Sequence, residues 1–207
     1  MNTNFFAEHK EDMFLRIKYF SDYSYKGTMI EVGGATPEFI SMSRHFNLNK
    51  WRTVIVEPNP TFAKMHRDIG NEIYEYAASD TDEDDVDFTI VHVTGGPVTD
   101  YSFSSLKIKE SYQSISNGLV NKLNKTQIKV KQRRLDTIIK EANIEQIDIL
   151  SVDTEGWEIE VMKGLTLLTP KVIMLENLFD DNSYRDYMSS IGYKFDTTIE
   201  GSDVYLS

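Results

Sequence analysis

The stretch MIEVGGATPEF, residues 29–39, decides how the rest of the chain is read. An apolar run ends in Glu31 and two glycines follow at once. Thr36-Pro37 then carries a helix-start signal, a capping hydroxyl followed by a proline suited to the first helical position. A strand turning tightly into a helix is the unit of nucleotide-cofactor folds. Outward from it, apolar runs of strand length occur at 28–32, 53–56, 147–152 and 172–175. Segments of helical character at 38–46, 61–69, 135–142 and 158–165 alternate with them. Near-continuous apolar strands indicate a sheet covered on both faces, and the alternation predicts a doubly wound α/β domain.

Two regions break the alternation. Residues 81–129 carry an acidic turn, the alternating run VDFTIVHV, a TGGP turn and a Ser-rich stretch, which predict a β-hairpin insertion followed by a loop or short helices. The final stretch GYKFDTTIEGSDVYLS predicts two antiparallel strands joined at Glu200-Gly201. Ahead of the first strand, within 1–27, Met13, Phe14, Ile17 and Phe20 recur at helical spacing and predict a helix. The 207 residues suit one domain with a sizeable core, spanning 1–207.

Bulk properties narrow the function classes. A net charge of -11 argues against a broad grip on nucleic-acid phosphates. Lys129, Lys131, Arg133 and Arg134 form the one tight basic cluster, and alternation along a strand accounts for it as well as a binding patch does. With no cysteine, thiolate metal sites, disulfides and a Cys nucleophile are all excluded. No apolar run approaches the roughly 18 residues of a membrane span, and residues 1–14 lack the apolar core of a secretory signal. A cytoplasmic protein without membrane contact is expected.

The first turn departs from the dinucleotide fingerprint: Ala35 stands where the second glycine belongs and Glu38 replaces the third. Glu31 and Glu38 flank the turn, and no Lys or Arg occurs from 29 to 43. That sign of charge opposes a pyrophosphate and favours a cation. S-adenosylmethionine, with a sulfonium, an α-ammonium and an adenosine, suits it; Gly33 and Gly34 would let the backbone approach and Glu31 would orient the amino-acid end. The plain alternative is that the glycines only permit a tight βα turn. A second anchor is VIVEPNP, residues 54–60: Glu57 ends the next strand where an acid accepts hydrogen bonds from ribose hydroxyls. Asn59 is free to cap the following helix or to touch adenine. The third anchor is ILSVDTEGWE, residues 149–158. Asp153 ends a buried strand at the carboxyl edge of the sheet, where ligands gather. Glu155 and Glu158 follow, with Glu158 expected to face solvent.

Together these anchors resemble the FkbM-type family of S-adenosylmethionine-dependent, class I methyltransferases. The matching pieces are IEVGGATPEF, VEPNP, YAASD at 76–80, RRLDTII at 133–139, IDILSVDTEGWEIEVMKG at 147–164 and VIMLEN at 172–177, in the family's order. The resemblance implies a Rossmann-like, mostly parallel seven-stranded sheet with helices on both faces and an antiparallel closing strand. It implies methyl transfer, usually to an oxygen and often on a sugar or polyketide hydroxyl. Carried over by position, Glu31, Gly33, Gly34 and Ala35 would surround the methionine part. Glu57 would take the ribose, and Pro58 and Asn59 would border adenine. Ala78 and Ser79 would lie near the base from the third strand, and Asp153 would face the methyl-donor side. The chain departs from the family at Glu31, Thr36 and Trp157, where Asp, Asn and a small residue are usual.

Transfer from a sulfonium is an in-line displacement, and an alcohol acceptor also has to lose its proton. Candidates for the base are Asp153, Glu155 and His92, with Asp153 and Glu155 assigned as catalytic. A divalent ion on Asp153 and Glu155 would acidify the hydroxyl, but no metal is assigned. His45 and His66 receive no role. Tyr101, Phe103 and Tyr112 in the Ser-rich loop are candidates for stacking on a sugar. The expected partner is a small-molecule or glycan hydroxyl acceptor, not a nucleic acid. A nicotinamide-dependent oxidoreductase and a cofactor-binding module without catalysis are the rival readings.

Overall fold

The computed structural model describes residues 1–92, 104–106 and 124–207. In chain order the first half holds α1 (Glu11–Tyr19), β1 (Thr28–Val32), α2 (Arg44–Leu48), β2 (Arg52–Val56), α3 (Pro60–Asp68), β3 (Glu72–Tyr74), β4 (Tyr76–Ser79) and β5 (Glu83–His92). The second half holds β6 (Asn124–Arg134), α4 (Leu135–Glu141), β7 (Ile149–Val152), α5 (Glu158–Lys163), β8 (Val172–Glu176), α6 (Asn182–Ser190), β9 (Lys194–Ile199) and β10 (Ser202–Leu206).

The main sheet has seven strands in the order β3-β2-β1-β7-β8-β10-β9. The first five are mutually parallel, and β10 runs antiparallel to both β8 and β9. This is the expected Rossmann-like, mostly parallel seven-stranded sheet, with the last strand inserted beside β8. The closing hairpin turns at Glu200 (φ 44) and Gly201 (φ 89), both in the left-handed region that a two-residue hairpin of right-twisted strands demands.

Consecutive residues of each central strand enter opposite cores. Ile30, Val32, Leu150, Val152, Ile173 and Leu175 meet α4, α5 and α6, whereas Met29, Ile149, Val172 and Met174 meet Leu15, Phe46 and Trp51. Alternating side chains on a doubly covered sheet explain why these strands read as unbroken apolar runs. At α1 the buried residues include Leu15 and Arg16, while Ile17 is exposed. The expected apolar stripe is thus rotated. Arg16 is fully buried, donates from Nε to His45 and from Nη1 to the Phe20 carbonyl, and sits over the rings of Tyr23, Phe46 and Trp51.

Three expectations need correction. The helix predicted over 38–46 is confined to Arg44–Leu48. Thr36 spends its hydroxyl on the Phe39 carbonyl, and Ile40 takes φ 51, which breaks a helix. The Glu31 carboxylate then accepts from Met42 N (2.8 Å) and Ser43 N (3.1 Å), holding this stretch against the sheet edge. Secondly, Tyr76–Ser79 is not the third strand of the main sheet. That place belongs to β3, and β4 pairs with β6 in a separate sheet ordered β4-β6-β5. Thirdly, the hairpin insertion is formed by β5 and β6, so its second strand continues past 129 to Arg134. Here the basic cluster alternates along β6 as expected: Lys129 pairs with Asp87, Arg133 with Asp84 and Arg134 with Asp136. Tyr101, Phe103, Tyr112 and the TGGP turn lie outside the described residues. Among the described residues, no helix is long and apolar enough to cross a membrane.

Candidate active site

The parallel strands deliver their carboxyl ends to one edge of the sheet, where doubly wound folds place ligands. A cavity of about 430 Å³ opens there. Gly33 forms its floor between β1 and β7. Its φ of +84 and a Cβ position only 1.8 Å from the Asp153 carbonyl oxygen exclude any side chain. Gly34 instead packs under Ile55 and beside His66, so it does not line the cavity. Ala35 lines it at φ 37, a strained setting for a residue with a Cβ. His66, given no role above, is fully buried, and its Nε2 lies 3.3 Å from the Gly34 carbonyl and 3.1 Å from that of Ala35. It fastens the turn from behind.

Glu57 ties the first two anchors together. Its Oε2 accepts from Ala35 N (3.0 Å) and its Oε1 from Asn59 N (2.7 Å), and the residue borders the cavity with Pro58. Asn59 is buried and caps α3 through Thr61 N at 3.0 Å, while its Nδ2 is buried without a hydrogen-bond partner. Of the third-anchor residues, Asp153, Thr154, Glu155 and Trp157 all face the cavity. Glu155 and Gly156 take φ 57 and 96, a sharp turn that aims Trp157 at β4. The indole N–H donates to Ser79 Oγ at 2.9 Å. Ser79 therefore acts on the cavity through Trp157, while Ala78 lines it directly.

Glu158 does not face solvent. It is fully buried: Oε1 accepts from Thr154 N, Thr154 Oγ1 and Gly156 N, and Oε2 from the Tyr184 hydroxyl at 2.6 Å. The acid holds the 153–156 turn in shape because its carboxylate is the nearest acceptor for those inward-pointing donors. Replacing it by Gln trades a charged acceptor for a neutral one with an unwanted N–H. A loss of about 2 kcal/mol is expected, a fall in Tm of roughly 4–8 °C in a thermal melt. Oxygens of Asp153, Glu158 and Glu176 lie within 4.8 Å of one another. Glu176 ends β8, as Glu57 follows β2 and Asp153 follows β7, so an acid closing an apolar run was a legible signal for it.

Glu31 occupies a smaller recess of about 110 Å³, continuous with the main cavity through Gly33, Ala35 and Asp153. Burial pushes its carboxyl up to about 7, against the pull of the Met42 and Ser43 donors. Burial likewise raises Glu57 to about 7, reinforced by the charges of Glu31 and Asp153. Asp153 keeps accessible surface and borders the cavity, and desolvation followed by the charge of Glu158 raises its pKa. His92 lies on β5 away from the cavity and contacts Thr126 Oγ1 across the strand pair. It is a strand histidine, outside the candidate bases.

A family model described as Methyltransferase FkbM domain matches residues 31–195. The chain belongs to the FkbM methyltransferase family. The match spans every anchor described above, from Glu31 through Glu176. Comparison with curated proteins found no significant match. An FkbM methyltransferase needs a methyl donor, and the described lining of this cavity combines two chemistries: apolar Pro58, Phe62, Ala77, Ala78, Phe88 and Leu106, and acidic Glu8, Glu57, Asp153, Glu155 and Glu176.

Proposed function

We propose that this methyltransferase takes its methyl group from S-adenosylmethionine and delivers it to a hydroxyl oxygen of a small molecule or glycan. The observation that carries the donor assignment is the charge of the cavity: five carboxylates and, among the described lining residues, no Lys, Arg or His. A sulfonium and an ammonium are stabilised there, whereas the pyrophosphate of a nicotinamide cofactor is repelled. The apolar lining residues suit adenosine. Glu57, placed at the end of β2, would accept from the ribose hydroxyls, Gly33 and Ala35 would border the methionine part, and Ala78 and Pro58 the base. The unpaired Asn59 Nδ2 is a buried donor next to that place.

When bound, the donor supplies an electrophilic methyl carbon. The chain supplies position and a proton acceptor. Asp153 and Glu155 line the same cavity from one turn, and Glu158 fixes that turn, so either carboxylate would meet an acceptor hydroxyl in a defined direction. The raised pKa of Asp153 makes its ionised form a stronger base for an alcohol proton.

Isothermal titration tests the donor reading. Wild-type protein is expected to bind S-adenosylmethionine and S-adenosylhomocysteine saturably and NADH not at all. The pH dependence has a defined sign. Glu31 and Glu57 are held near 7, above the ordinary 4.5 of a free Glu. Their protonated forms add stability that is full below about 4.5 and lost as pH rises through 7. A cationic ligand relieves that loss, so its binding expels protons. Affinity for S-adenosylmethionine is expected to tighten from pH 6 to 8, by at most about tenfold per pH unit for each proton released. Binding of NADH in place of the sulfonium compound, or an affinity that falls with pH, would reverse the assignment.

A further inference from the structure

Residues 2–9 precede the matched family domain, yet they reach its cavity. Asn2 and Asn49 exchange two hydrogen bonds (3.0 and 2.9 Å). His45 Nδ1 donates to the Asn4 carbonyl at 2.7 Å, the tautomer that leaves Nε2 to accept from Arg16. Phe5 stacks on the same imidazole with centroids 4.4 Å apart. Phe6 N is held by the buried Asp12 carboxylate at 2.7 Å, Ala7 is buried, His9 N is held by Glu11 Oε2 at 2.9 Å, and Lys10 N bonds back to the Ala7 carbonyl. The chain is therefore fastened immediately before and after Glu8.

Glu8 is the one residue of this strap that lines both the main cavity and the smaller recess. The other residues common to the two, Val32, Gly33, Ala35, Ile40 and Asp153, belong to the first or third anchor or directly follow the first. Glu8 thus borders both the cavity of about 430 Å³ and the recess of about 110 Å³, at the junction of the two. Its charge is felt at Asp153, after those of Glu158 and Glu11. Fastened backbone on both sides means that only the Glu8 side chain, not the chain around it, has to be ordered at binding.

We infer that Glu8 is a cofactor-binding residue supplied from outside the family domain, which with Asp153 seats the α-ammonium of the donor at the junction of the two cavities. The inference rests on the donor reading above. A zwitterionic end would enter this recess ammonium first, with its carboxylate directed away from Glu8, so the strap also orients the sulfonium carbon.

The test uses two ligands differing in that end. S-adenosylhomocysteine has the ammonium, whereas 5′-methylthioadenosine keeps the adenosine and sulfur and lacks the amino-acid end. Full-length wild type and Glu8→Gln are titrated with each, alongside thermal melting. Weakening of S-adenosylhomocysteine by about tenfold, with methylthioadenosine unchanged, is expected for one charged contact. Equal weakening of both ligands would make the strap a structural cover and overturn the role of Glu8. Unchanged affinity for both would overturn it as well. A folded wild type that binds neither ligand would instead sink the donor reading itself.

Discussion

Glu57→Ala is expected to weaken S-adenosylhomocysteine binding by roughly 10²- to 10⁴-fold, with the protein still folded. Two contributions add. A carboxylate that accepts from two ribose hydroxyls forms hydrogen bonds worth about 1.5–3 kcal/mol each. The same carboxylate joins the turn after β1 to the turn after β2 through Ala35 N and Asn59 N, so its removal also loosens the floor on which the ligand rests. Fold integrity is protected because the strands beneath are held by their own ladder, with Val56 O accepting from Gly33 N at 2.9 Å. Glu57→Gln separates the contributions: it keeps one carbonyl acceptor and the side-chain volume, and should retain part of the affinity. Titration of both variants checks this. An Ala variant that is folded and binds like wild type would remove Glu57 from the site.

The second large effect is on folding. Gly33→Ala places a Cβ 1.8 Å from the Asp153 carbonyl oxygen at a φ of +84. Neither partner can retreat, since Gly33 N is bonded to Val56 O and Asp153 N to Val32 O at 3.0 Å. Relief requires parting β1 from β7 at the centre of the sheet. A loss above about 4 kcal/mol is expected, a fall in Tm of at least roughly 8–16 °C, or failure to accumulate as soluble protein. Gly70→Ala is the matched control: φ is +79 but nothing lies within 4 Å of the added Cβ, so only the backbone preference is lost, about 1–2 kcal/mol. Equal melting of the two variants would contradict the close approach at Gly33.

Much of this was written in local pattern. The strand runs, the Glu200-Gly201 hairpin and the acids at 57 and 153 were visible because each depends on neighbours two to four residues away. Alternation of strand and helix sufficed for the sheet class, since a parallel strand covered on both faces has no polar side to show. The motif set IEVGGATPEF, VEPNP and VDTEGWE identified the family that the match over 31–195 establishes.

The misreadings share one cause, which is that a long-range partner outweighed the local signal. Thr36-Pro37 promised a helix, but the buried Glu31 carboxylate claims the amides of Met42 and Ser43 and moves the helix to Arg44–Leu48. Glu158 reads as a solvent-facing acid on a helix start until Tyr184, distant in sequence, supplies a buried hydroxyl for it. Ser79, expected near the base, holds Trp157 from a strand 78 residues away. Sheet class, family and the acids at 57, 153 and 155 were thus decided by amino-acid pattern alone. The direction each polar side chain takes, and the delivery of Glu8 from a segment outside the domain, were decided in the folded chain. There a buried donor or acceptor has to find a partner wherever the fold brings one within reach.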